Sequence, residues 1–146
     1  TSLKTFDEAQ PDVPPEKINQ LNTQHGSGSF SIDSVMEYGP NIKIPLQGID
    51  FQQNLRVVSD AWVYFDKLPT AAVFVVSLEI PGNEPLIWKG ALIRDYADAF
   101  GWYKVRQTFT LPEKPDNGAV LKTYIWNKGK ENFLVDEMKL SVEKIK

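Results

Sequence analysis

The sequence predicts an all-β domain, a sandwich or a barrel, on three observations. From Ser29 onward the chain falls into short runs rich in Val, Ile, Phe, Tyr and Trp, the residues that suit a pleated, half-buried surface. The breaks between them, "DKLPT", "IPGNEP" and "PEKPDNG", carry residues that set φ or remove a backbone donor. No break shows a helical spacing of apolar residues.

In chain order, "LKTFD" is a first short strand. The stretch 8–28, "EAQPDVPPEKINQLNTQHGSG", is proline-rich and polar, and is expected to be a long loop with one helical turn around Glu16 to Leu21. Eight further strands follow: "SFSID", "NIKIPL", "NLRVVSDAWVYF", "AAVFVVSLEI", "PLIWKGALI", "WYKVRQTFTL", "AVLKTYIWN" and "FLVDEMKLSV". "RDYADAFG" has room for one turn of helix before the Trp102 strand. At 146 residues, 42% of them hydrophobic, residues 1–146 are expected to form one domain with a substantial core.

Composition removes several kinds of chemistry. No apolar run approaches the roughly 18 residues of a membrane span. A net charge of −3 argues against nucleic acid, whose partners carry concentrated basic surface. With no cysteine and a single histidine, His25, there is no thiol nucleophile, disulfide, or Cys- or His-pair zinc site. No serine sits in a G-x-S-x-G elbow. The chain starts without Met and without an apolar leader, as expected of a processed chain or a domain of a larger one.

Alternation sorts the faces, because residues two apart in a strand share a side. Tyr103, Val105, Gln107, Phe109 and Leu111 form an inner row, and Trp102, Lys104, Arg106, Thr108 and Thr110 an outer one. Leu121, Thr123 and Ile125 point inward, which leaves Lys122, Tyr124 and Trp126 together outside. Such a polar-aromatic row suits sugar, since rings stack on the C–H faces of pyranoses while polar neighbours take the hydroxyls. Trp62 and Tyr64 share one face and Trp88 lies between Ile87 and Lys89, with their directions left open; strand aromatics are more often core than platform. In the last strand Leu134, Asp136, Met138, Leu140 and Val142 make an apolar row interrupted by a carboxylate. A core-side carboxylate is costly unless paired, rescued by donors or bound to metal.

The order of "TFDE", "HGSGSFSID", "LRVVSDAWVYF", "WYKVRQTFTLP" and "LKTYIWNKGKENFLVDEMKLSV" resembles the calcium-containing, jelly-roll carbohydrate-binding modules of the galactose-binding-like superfamily, found in secreted or surface proteins of polysaccharide-degrading bacteria. The resemblance covers nearly the whole chain. It implies a two-sheet antiparallel β-sandwich of jelly-roll topology with the first and last strands side by side. It further implies a structural Ca²⁺ near that junction, held by Asp7 or Glu8, by oxygens between Gly26 and Ser31, and by Asp136. Calcium prefers six to eight oxygen ligands, which a Cys-free chain can supply. The alternative for Asp136 is capping of loop amides or pairing with a lysine.

By the same resemblance, Lys43, Glu79 and Trp88 would join Lys122, Tyr124 and Trp126 on a concave ligand face. Tyr96, Phe100 and Trp102 would form a loop-rim site instead. The implied function is non-catalytic binding of a polysaccharide or oligosaccharide, in an extracellular or cell-surface setting and alongside other domains. The competing expectation is a structural or protein-interaction sandwich of the cell envelope with no sugar site. Glycoside hydrolysis needs two carboxylates about 5–9.5 Å apart. Glu79 and Glu84 flank a turn, but the E-x-D-x-x-E run of jelly-roll glucanases is absent.

Overall fold

Alternating apolar residues build ten strands in the computed structural model, which describes residues 2–4, 18–19, 29–46, 55–65, 71–80, 82, 84–96, 101–111 and 118–144. They are β1 (Ser2–Lys4), β2 (Ile18–Asn19), β3 (Ser29–Ile32), β4 (Tyr38–Pro45), β5 (Leu55–Phe65), β6 (Val73–Glu79), β7 (Ile87–Leu92), β8 (Gly101–Thr110), β9 (Val120–Trp126) and β10 (Phe133–Lys144). The eight strands expected after Ser29 are all present. A 3₁₀ turn, Ile93–Tyr96, stands at the start of "RDYADAFG". The helical turn expected around Glu16 is not what Ile18 and Asn19 adopt: they are extended and pair with Phe30 and Ser29. An isolated helical turn satisfies few of its own amides, whereas a position beside β3 satisfies them in a ladder.

The strands form two antiparallel sheets. One has the order β2-β3-β10-β5-β8 with β1 also paired to β10, and the other has the order β4-β9-β6-β7. From β4 onward the chain passes back and forth between the sheets, apart from the β6–β7 hairpin within one of them, the connectivity of a jelly roll. The first and last strands lie side by side, Ser2 opposite Leu140 and Lys4 opposite Met138. β3 pairs with the earlier part of β10, Ile32 opposite Phe133 and Phe30 opposite Val135. Thus β1 and β3 lie end to end along one edge of β10.

Both inner faces supply the core. Leu55, Val57, Ala61, Val63 and Phe65 of β5 meet Phe74, Val76 and Leu78 of β6 and Leu121 and Ile125 of β9. Two polar devices cross this apolar layer. The Thr123 hydroxyl donates to the Val75 carbonyl at 2.9 Å and lies 2.6 Å from the Ser59 hydroxyl. With its one proton committed, Thr123 accepts there and Ser59 donates. The Gln107 amide donates to the carbonyls of Phe74 and Lys89, tying β8 of one sheet to β6 and β7 of the other.

The last strand departs from the expected row. Asp136 pairs with Trp62 and Lys139 with Asp60, so three steps along β10 cover two along β5: a β-bulge. Glu137 in the bulge has φ of 47°. Phe133 and Val135 therefore point inward upstream of the bulge, and Met138 and Leu140 downstream of it. Asp136 shares the outward face with Trp62, yet it is fully buried, and its Oδ1 accepts the Glu137 amide at 2.8 Å. The predicted core-side position of Asp136 is corrected by one inserted residue.

Candidate functional site

The outward face of the β4-β9-β6-β7 sheet gathers the chemistry. Cross-strand partners share a side, so the register gives three rungs. Lys43, Lys122, Ser77 and Trp88 form one; Asn41, Tyr124, Val75 and Gly90 the next; Tyr38, Trp126, Val73 and Leu92 the third. Glu79 ends the β6 row, opposite Val120. All six residues singled out from the sequence, Lys43, Glu79, Trp88, Lys122, Tyr124 and Trp126, lie on this one face.

Contacts between side chains organise it. The Trp88 indole N–H donates to the Tyr124 hydroxyl at 3.3 Å, bridging from β7 to β9 over β6. Beneath that bridge Val75 and Ser77 are fully buried although they face outward. Gly90 makes the bridge possible: a Cβ there would lie 2.6 Å from Cη2 of Trp88 and 2.9 Å from Cγ1 of Val73. Tyr38 meets Tyr124 edge-on, ring centroids 5.9 Å apart at 68°. The Lys122 ammonium is 5.0 Å from the Tyr124 ring centre, and that of Lys128 is 5.4 Å from Trp126, both within cation–π range. Burial raises the Tyr124 phenol above its ordinary value; the bond from Trp88 opposes this, while Glu79 and Tyr38 add to it.

An open depression of about 230 Å³ is lined by Tyr38, Gly39, Asn41, Lys122 and Tyr124. Trp88 and Tyr38 are the most exposed rings of the face, at 47% and 56%, while Tyr124 and Trp126 are half-buried. The face is therefore a set of tilted rings around a hollow rather than a flat row. Glu79 accepts from the Ser77 hydroxyl at 3.1 Å. At one end, buried Asn127 donates to the carbonyls of Asp33 and Glu131 and accepts the Glu131 amide, fixing the turn that carries Lys128.

Tyr38, Asn41 and Lys128 are the members that sequence reasoning missed. The strand "NIKIPL" was expected to begin at Asn41, whereas β4 begins at Tyr38 and runs through a register shift between Tyr38 and Asn41. The other candidates lie elsewhere. Trp102 packs against Tyr64, centroids 5.4 Å apart, on the outward face of the other sheet. Tyr96 donates to the Arg106 carbonyl, and Phe100 lies outside the described residues. Of the proposed calcium ligands, Asp7, Glu8 and Gly26 also lie outside them. Ser31 pairs with Leu134, which makes Ser29 the β3 residue nearest Asp136 in register. No group of three or more His, Cys, Asp or Glu side chains is close enough together for a metal among the described residues.

No family model and no curated protein sequence matches the chain. Among solved structures it is similar to the CBM22-1 xylan-binding domain of Paenibacillus barcinonensis Xyn10C, with a TM-score of 0.56 and 12% identity over 99% of this chain and 95% of that one. It is also similar to a family 16 carbohydrate-binding module (TM-score 0.49, 13% identity, 87% of this chain and 84% of that one). A third likeness is to part of the arabinose-bound α-L-arabinofuranosidase MgGH51 (TM-score 0.49, 12% identity, 97% of this chain and 22% of that one). The first of these likenesses establishes a shared jelly-roll β-sandwich.

Proposed function

We propose that the protein is a non-catalytic carbohydrate-binding module that takes a polysaccharide or oligosaccharide on the outward face of the β4-β9-β6-β7 sheet. The observation that carries this reading is the convergence of Trp88, Tyr124, Trp126, Lys43, Lys122 and Glu79 on that face. Trp88, Tyr124 and Trp126 offer ring faces or edges to sugar C–H groups, and Lys43, Asn41, Lys122 and Glu79 take hydroxyls. The fold shared with a xylan-binding domain supports the same reading. The four strands carry one carboxylate, Glu79, where hydrolysis by the usual route uses two. An extracellular or cell-surface location, beside other domains, accompanies this function.

A structural calcium belongs to the proposal. What supports it is Asp136, a fully buried carboxylate at a bulge, set where β1 ends at Lys4 and β3 begins at Ser29. Asp136 would supply carboxylate oxygen, and Asp7 or Glu8 together with oxygens between Gly26 and Ser31 the rest.

Affinity electrophoresis against a panel of plant and microbial polysaccharides tests the binding function. At least one polymer should retard the protein, and Trp126→Ala or Trp88→Ala should weaken that by about tenfold, the order of one lost stacking contact. Absence of retardation throughout the panel would instead leave a structural or protein-interaction sandwich.

A further inference from the structure

The charge on this face runs against that of the whole chain. In a protein of net charge −3, Lys43 and Lys122 stand directly opposite each other on β4 and β9. Like charges so placed destabilise a sheet. Neither ammonium has a carboxylate within 4.0 Å among the described residues. Lys128 adds a third cation over Trp126. The one acid of the four strands, Glu79, has its Oε2 engaged by Ser77. The hollow lined by Tyr38, Asn41, Lys122 and Tyr124 opens beside the lysine pair.

Resting on the carbohydrate-binding function above, we infer that the ligand is an acidic polysaccharide bearing uronic acid, whose carboxylate is shared between Lys43 and Lys122. A planar carboxylate offers two oxygens to two ammonium groups on adjacent strands, and its charge removes the repulsion between them. The ring that carries it lies in the hollow against Tyr38 and Tyr124. Lys122 serves twice, because its ammonium also sits near the Tyr124 ring, so charge and stacking surface are presented together.

The test uses one polymer in two forms: a uronate-bearing polysaccharide and the same material with its carboxyl groups reduced to alcohols, each run in affinity electrophoresis at low and at 0.5 M added salt (on the order of a 4 Å Debye length). The native polymer should bind about tenfold more tightly than the reduced one, the scale of a charge-assisted hydrogen bond. Lys43→Gln with Lys122→Gln should erase that difference while residual binding to the reduced polymer persists. Lys139→Gln, on the opposite sheet, should leave it intact. Equal binding of native and reduced polymer would overturn the acidic specificity and leave the sugar-binding function standing. Loss of the difference in Lys139→Gln, or equal retardation by dextran sulfate, would overturn it as general polyanion attraction. Failure to bind either polymer, or any other in the panel, would remove both the specificity and the function beneath it.

Discussion

Gly90 lies under the Trp88 ring, where even a methyl group has no space. Ala at this position keeps an ordinary strand conformation, but its Cβ must displace either Trp88 or Val73. Trp88 is 47% exposed and Val73 is buried, so the ring is what moves. Gly90→Ala should therefore cost only about 1 kcal/mol in urea unfolding, while breaking the bond to Tyr124, shifting tryptophan emission and weakening sugar binding as much as Trp88→Ala does. Tyr124 makes a second residue-scale prediction. Its phenol is raised chiefly by burial, so the folded state holds that proton longer than the unfolded chain. Its contribution is intact below about pH 10, the ordinary tyrosine value, and is lost as pH climbs through the raised folded value. Stability measured from pH 9 to 11 should fall less steeply in Tyr124→Phe.

At the level of strands, the Ser59–Thr123 bridge joins the middle of β5 to the middle of β9 through the core. Thr123→Val keeps the shape but leaves the Ser59 hydroxyl and the Val75 carbonyl short of a partner. It should cost about 1–3 kcal/mol, and Ser59→Ala with Thr123→Val should cost less than the sum of the single changes in a double-mutant cycle. β9 was also the strand most legible in the sequence. Its strict alternation of Lys122, Tyr124 and Trp126 with Thr123 and Ile125 survives intact, because its ladder with β6 is unbroken and the irregularity opposite β4 is an extra residue on β4, between Tyr38 and Asn41. β10 was less legible: a bulge reverses the face of every residue on one side of it, and Glu137 has no side-chain feature that announces a positive φ. Trp88 could not be assigned a face from its own strand, since Leu86 on its own side and Ile87 on the other are equally apolar. The small residue two places on, Gly90, becomes meaningful only when the ring lies across it.

For the molecule as a whole, the larger sheet has a junction along β10, where two separate strands, β1 and β3, share one partner. β1 ends at Lys4 and β3 begins at Ser29, and the buried carboxylate of Asp136 lies between their ladders. The Glu137 amide already donates to that carboxylate, and an ion at this gap would add its charge to such donors and tie β1, β3 and β10 together. An ion that binds only the folded state stabilises it by about 2.7 kcal/mol at a hundredfold excess over Kd, on the order of 8 °C in melting temperature for a chain of this size. Chelator should lower the melting temperature by about that much, and calcium, but not magnesium, should restore it, because magnesium demands a tighter octahedron and sheds water reluctantly. Asp136→Asn preserves shape and removes the charge, so it should melt at one temperature in chelator and in calcium. A wild-type melt unchanged by chelator would mean that Asp136 is satisfied by the protein alone, with the Glu137 amide as one of its donors, and that the junction closes without metal.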